Sequence, residues 1–325
     1  MIIALVINII PGPSPVFGQG LGDVHVQPRT QSPTTNALVL ASAPGAKTIK
    51  KYVDVVLVPV TIVDTMNRLV KGLRKENFQV FDGKHPQDIR YFSGEDAPVS
   101  VGIVLDTSGS MKSKIDRARE AVMQFINTAN PQDEFFMVTF ADRPEQSSGF
   151  TQHIEDIQSR LLTAIPNGRT ALLDAIYLAL DRMKAAQYQR KALLIISDGG
   201  DNHSRYTEHE VTSRVKEADV MMYGIGIYDH AFPTHEELLG PELLEDITHV
   251  TGGRTFTIDN PNDLSPVAKA IGMELRNQYL IGYRPNAVPR DGKWHKIKVK
   301  LMRPKKVKLP PLTVYARTGY YAPAE

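Results

Sequence analysis

The chain has 325 residues, 42% hydrophobic and 23% charged, with 38 Lys plus Arg against 36 Asp plus Glu and no cysteine. That length exceeds one ordinary domain and the apolar content can fill buried cores, which excludes a collagen-like or wholly disordered chain. The missing cysteines exclude disulfides, thiolate zinc sites, iron–sulfur clusters and a cysteine nucleophile, and a net charge of +2 gives no ground for nucleic-acid binding by the whole surface.

Residues 1–10, MIIALVINII, are apolar and uncharged. They are too short for a spanning helix of ~20 residues, but they match the apolar core of a secretory signal. We read 1–20 as a leader, cleaved or kept as an anchor, although no basic residue precedes it; a short buried strand is the alternative. A secreted, periplasmic or cell-envelope location follows from that reading. Residues 21–48, rich in Pro, Ser, Thr and Ala without sustained periodicity, read as a linker.

Residues 49–97 carry only strand signals. A β-branched run covers 52–63, and Asp82-Gly83 is placed as a hairpin turn between Phe78/Val80 and Ile89/Tyr91. After Pro98 the pattern changes to strands alternating with amphipathic helices, the mark of a doubly wound, mostly parallel α/β sheet over 98–277. Strands are expected at 99–106, 134–140, 192–197, 220–227 and 254–258. One helical stripe is Ile115, Ala118, Val122, Phe125 and Ala129, ended by Pro131; Ala171, Ala175, Leu178 and Met183 help define another, and a last helix starts near Asn262.

Residues 278–325 return to strand patterns, with Tyr279, Ile281 and Tyr283 alternating, then runs at 294–301 and 312–320. Neither flanking segment is large enough to bury a core alone. They are expected to pair into one discontinuous β-sandwich with the α/β domain inserted between them. Residues 290–317 hold ten Lys or Arg and one acid, Asp291, a local +9 that leaves −7 for the rest. In WHKIKVKL, Lys296, Lys298 and Lys300 alternate with Ile297, Val299 and Leu301, so a strand with one solvated face accounts for part of this charge. A basic surface for anionic lipid, glycan or nucleic acid is the alternative reading.

The chemistry gathers in three segments. Asp106, Ser108 and Ser110 form D-x-S-x-S at the carboxyl end of a buried strand, where loops of an open α/β sheet converge on ligands. Alone this is weak, because Ser110 or Ser113 could cap the next helix. Thr170, in a Gly-bearing loop opening a helix, and Asp198, ending a second buried strand, belong at the same rim if the sheet is parallel. The five would supply two carboxylates and three hydroxyls, a hard oxygen set suited to Mg²⁺, with Mn²⁺ or Ca²⁺ as substitutes, and unsuited to zinc preference.

These residues resemble the metal-ion-dependent adhesion site of a von Willebrand factor A domain: Asp106, Ser108 and Ser110 match its first loop, Thr170 its second and Asp198 its third. The resemblance covers about 98–277. The flanking segments, from about residue 50 to the end, are similar to a bacterial von Willebrand factor A-related subgroup known from acidobacteria. The resemblance implies an exported, non-enzymatic module that binds a protein partner's Asp or Glu through the cation, with the loops at 199–206 and 228–244 as surrounding contact surface. A haloacid-dehalogenase-like phosphohydrolase fits less well, since the acid needed two residues after Asp106 is Ser108. A serine hydrolase lacks its G-x-S-x-G elbow. His203, His230 and His235 read as surface or partner-contact residues.

Overall fold

A computed structural model describes residues 55–198, 200–227, 235–285, 290–302 and 311–324, and side chains throughout these except at 235–239. The leader and linker readings over 1–48, the basic residues of 303–308, and His230 with the side chain of His235 lie outside the described residues. Among those described, no helix is long and apolar enough to cross a membrane.

The chain begins with β1 (Val56–Asp64), β2 (Phe78–Asp82), β3 (His85–Gln87) and β4 (Ile89–Ser93). The turn at Asp82-Gly83 forms, with Gly83 at φ +57° as a left-handed position that favours glycine. Its partner differs from expectation: β2 pairs with β3, Asp82 opposite His85, while Ile89 and Tyr91 lie on β4, which pairs with another strand in another sheet. The chain changes sheets at Asp88.

The α/β part follows: β5 (Val99–Asp106), α1 (Ile115–Ile126), β6 (Glu134–Phe140), β7 (Pro144–Thr151), α2 (Ile154–Thr163), α3 (Leu172–Arg182), β8 (Arg190–Ser197), α4 (Glu208–Glu217), β9 (Met221–Ile227), α5 (His235–Thr251), β10 (Thr255–Ile258) and α6 (Leu264–Arg276). The sheet order is β10-β9-β8-β5-β6-β7, parallel except for the antiparallel edge strand β7. Every residue of β5 and β9 is buried, as required of central strands covered by helices on both faces. One face packs Val101, Ile103, Leu105 and Ile225 against α1 and α6; the other packs Val104, Phe136, Leu193 and Met222 against α3, α4 and α5.

After α6 come β11 (Tyr279–Tyr283), β12 (Trp294–Leu301), β13 (Leu312–Ala316) and β14 (Gly319–Tyr321). They complete two four-stranded sheets, β13-β1-β11-β4 and β14-β12-β2-β3, which share a core of Val58, Val60, Ile62, Phe78, Val80, Ile281, Tyr283, Ile297 and Tyr320. The discontinuous sandwich thus forms across the inserted domain. Lys296, Lys298 and Lys300 are exposed while Ile297 and Val299 are buried, so the lysine alternation does mark a strand with one solvated face.

Sandwich and α/β domain are joined by a buried polar cluster. Arg254 Nη1 meets Glu274 Oε2 at 3.1 Å, and its Nη2 donates to Asn67 Oδ1 at 3.1 Å. The guanidinium lies 4.7 Å from the Phe256 ring centre and 4.5 Å from that of Tyr315. Tyr223 Oη donates to Glu274 Oε1 at 3.0 Å, and Gln278 Nε2 donates to Tyr223 Oη and Thr61 Oγ1. Burial raises the Glu274 carboxyl above its ordinary value, against the opposing pull of Arg254. Removing one partner strands the other as a buried charge. Arg254→Ala should therefore cost about 3–5 kcal/mol, read as a lowered urea midpoint, and Glu274→Gln, which keeps a Tyr223 acceptor, should cost less.

Candidate functional site

Parallel pairing brings the carboxyl ends of β5 and β8 together: Leu105 sits opposite Ile196, so Asp106 emerges one residue further on and Asp198 two. Asp106 and Asp198 are both fully buried. Asp106 Oδ1 accepts from the Ser108 backbone N–H at 2.8 Å and Oδ2 from Ser197 Oγ at 2.6 Å. Ser108 Oγ lies 3.0 Å from Ser110 Oγ, and Ser110 Oγ donates to Asp198 Oδ1 at 2.8 Å. Four of the five expected residues thus form one continuous hydrogen-bonded chain.

The serines do not cap helices. Residues 109–113 form a short 3₁₀ turn, Lys114 is the N-cap of α1, and neither terminus is closed by a capping side chain. The hydroxyls of Ser108 and Ser110 are spent on each other and on Asp198 instead. That removes the helix-capping explanation for this pair.

Thr170 reaches the rim through its loop. Gly109 N–H donates to Gly168 O at 2.9 Å and Asn167 N–H to Thr107 O at 2.9 Å, which fixes the second loop against the first. Thr170 N–H donates to Asn202 Oδ1 at 2.9 Å, and Asn202 N–H returns a bond to Thr170 O at 3.0 Å, which fixes it to the third. The third loop is held in turn by Asp174 of α3, which accepts from the backbone N–H groups of Arg205 and Tyr206. The Thr170 side chain makes no hydrogen bond among the described residues, although the residue is only 5% exposed. A buried hydroxyl without a partner is costly and calls for a ligand or water.

Burial first, and the charge of Asp198 second, push the Asp106 carboxyl up to about 6 in spite of its hydrogen bonds from Ser197 and Ser108. The site is therefore short of positive charge. One cation does reach it: Lys114 Nζ lies 2.8 Å from Asp198 Oδ2. Lys114 and Ser197 escape sequence reasoning, because a lysine ahead of an amphipathic helix reads as solvated and a serine ending a buried strand belongs to no motif; Asn202 lies in the 199–206 loop, but its bond to Thr170 is not marked by the sequence. His203 is exposed, and its Nδ1 stands 3.4 Å from Arg169 Nη1, whereas the serine hydroxyls meet each other and Asp198.

Among the described residues no group of three or more His, Asp or Glu side chains could hold a metal. A cation here would have to be held by two acids and the hydroxyls together, and the partnerless Thr170 hydroxyl and the acid-rich interior fit that donor set. A cleft of about 590 Å³ lies elsewhere, at the amino ends of β5, β8 and β9 where they meet the sandwich, lined by Leu57, Arg190, Met221, Trp294 and Arg317. Its size does not make it the site, since none of the five residues lines it.

Residues 101–200 match the von Willebrand factor type A domain. The chain is 25% identical over 167 residues to inter-alpha-trypsin inhibitor heavy chain H4 of Sus scrofa, covering 47% of this chain and 18% of that one. To the Homo sapiens heavy chain H4 it is 22% identical over 220 residues, 62% of this chain and 23% of that one. It thus spans about a fifth of the length of these curated relatives. Among solved structures, von Willebrand factor type A from Catenulispora acidiphila is similar at 13% identity and a TM-score of 0.47, over 84% of this chain and 75% of that one. Residues 101–200 thus carry a von Willebrand factor A domain, in an α/β unit set in a β-sandwich. Such domains commonly mediate protein–protein interactions.

The loop geometry supplies a test independent of any ligand. Gly168 has φ +86°, and a Cβ there would sit 2.6 Å from Asp142 Oδ2, the carboxylate whose other oxygen accepts from Arg169 N–H. Gly168→Ala should lose about 1–3 kcal/mol of stability, measured by chemical denaturation. It should also increase amide exchange in the Thr170 loop.

Proposed function

We propose that Asp106, Ser108, Ser110, Thr170 and Asp198 hold a divalent cation, Mg²⁺ by preference with Mn²⁺ or Ca²⁺ able to replace it, and that the protein captures a partner's Asp or Glu carboxylate there. The carrying observation is the pair of fully buried carboxylates joined through Ser110, beside a buried threonine whose hydroxyl has no hydrogen-bond partner among the described residues. A bound divalent ion would supply an electrophilic coordination position for an incoming carboxylate. The chain's own residues do the rest: the three loops fix the donors, and the buried setting strengthens each charge.

The role is adhesive or scaffolding rather than enzymatic. Ser108 stands where a phosphotransferase would place its acid, and among the described residues neither serine hydrogen-bonds to a histidine. An envelope or extracellular setting is part of the proposal and rests on the apolar run at 1–10. The exposed lysines of β12 support a second reading, a basic-surface module; that module would bind heparin or anionic vesicles in a salt-sensitive, EDTA-resistant way.

Titration with Mg²⁺ is expected to raise the melting temperature of the wild type, as roughly 2.7 kcal/mol of stabilisation at a hundredfold excess over Kd, and to leave Asp106→Ala unmoved. Capture of a partner from an envelope extract should vanish with EDTA and with Asp198→Ala. Equal capture in all three samples would refute metal bridging.

A further inference from the structure

The ammonium of Lys114 occupies the place where a cation's charge is needed. It extends from the N-cap of α1, its side chain 15% exposed, and meets Asp198 Oδ2 at 2.8 Å with the Ile227 carbonyl 3.5 Å away. The other Asp198 oxygen accepts from Ser110, so both are engaged. We propose that Lys114 is a tethered counter-cation that competes with the divalent ion for Asp198, so that metal binding displaces its ammonium and the lysine sets the concentration at which the site loads.

The physical grounds are charge and reach. Two fully buried carboxylates next to one another favour positive charge at hand, and Lys114 supplies one unit against Asp198. A divalent ion brings two units to the same carboxylates, and leaving the ammonium in place would set like charges side by side in a site of low dielectric. The lysine stem is flexible and already partly exposed, so its ammonium can move into water while the loops stay fixed. The exchange needs no change of fold. This inference rests on reading the five oxygens as a cation site.

The test uses the full 325-residue chain and Mn²⁺ alone as probe, with binding followed by calorimetry and by the Mn²⁺ spin-resonance signal. Lys114→Met keeps the stem and removes the charge; it should bind Mn²⁺ roughly ten- to a hundredfold more tightly, the equivalent of one charged hydrogen bond. Lys114→Arg should stay within a few-fold of wild type, and Asp198→Asn should lose binding. In the wild type, acylation of the Lys114 amine, mapped by mass spectrometry, should increase when Mn²⁺ is added. That readout needs no variant, so it stands even if the Met variant fails to fold. Unchanged or weaker affinity in a folded Met variant, or unchanged acylation in a metal-binding wild type, would overturn the competition and leave the cation site intact. Absence of Mn²⁺ binding in both wild type and Met variant would instead overturn the cation site, and this inference with it.

Discussion

Two carboxylates with no solvent access, at the ends of neighbouring parallel strands, are the constraint around which the α/β domain is arranged. Parallel pairing of β5 with β8 leaves no freedom to separate them: once Leu105 faces Ile196, Asp106 and Asp198 must emerge at the same rim. Burial penalises the Asp106 charge, as its upward shift shows, and the surrounding loops return hydrogen bonds that water would have given. Ser108 and Ser197 donate to Asp106, and Ser110 and Lys114 donate to Asp198. Much of what looks like loop detail is compensation for that one placement.

The opposite end of the sheet solves a different problem. The chain enters β5 from the sandwich and leaves α6 back into it, so both crossings lie at the amino ends of the strands, away from the carboxylates. There the Arg254–Glu274 cluster holds the two parts in register, with Thr61, Asn67 and Tyr315 contributed by the sandwich and Tyr223 by β9. Rigidity at that seam leaves the rim loops as the surface on which ligand chemistry can vary without disturbing the split sandwich.

What the sequence reveals and what it conceals follow from how strongly burial writes itself into residue choice. The central strands are legible because VSVGIVLD and its neighbours must be apolar on both faces, and their ends mark the acids at once. Strand β7, PEQSSGFT, is not legible, because an edge strand held by β6 alone has no need of alternation. The crossing at Asp88 is hidden for another reason: Gln87 and Ile89 are both buried, so the period of two runs on while the chain changes sheets. At the site, the five oxygen donors are visible as a spaced set, whereas the cation beside them is not. A lysine shows its role only when a folded chain brings an acid 84 residues away to its ammonium.

This difference bears on how such a site should be understood. Oxygen donors define which ions fit, and they are fixed by strand ends and turns that the sequence announces. Occupancy is a matter of competing charges, and competitors can come from any element that reaches the rim. Here Lys114 is the N-cap of α1, so the first loop, which holds two of the hydroxyls, leads directly into a side chain that returns a positive charge to the acid of the third loop. On the proposed reading, the same short stretch, from Asp106 to Lys114, carries both oxygen donors for a cation and a substitute for one. The balance between them would then depend on a single side chain's preference for Asp198 over water.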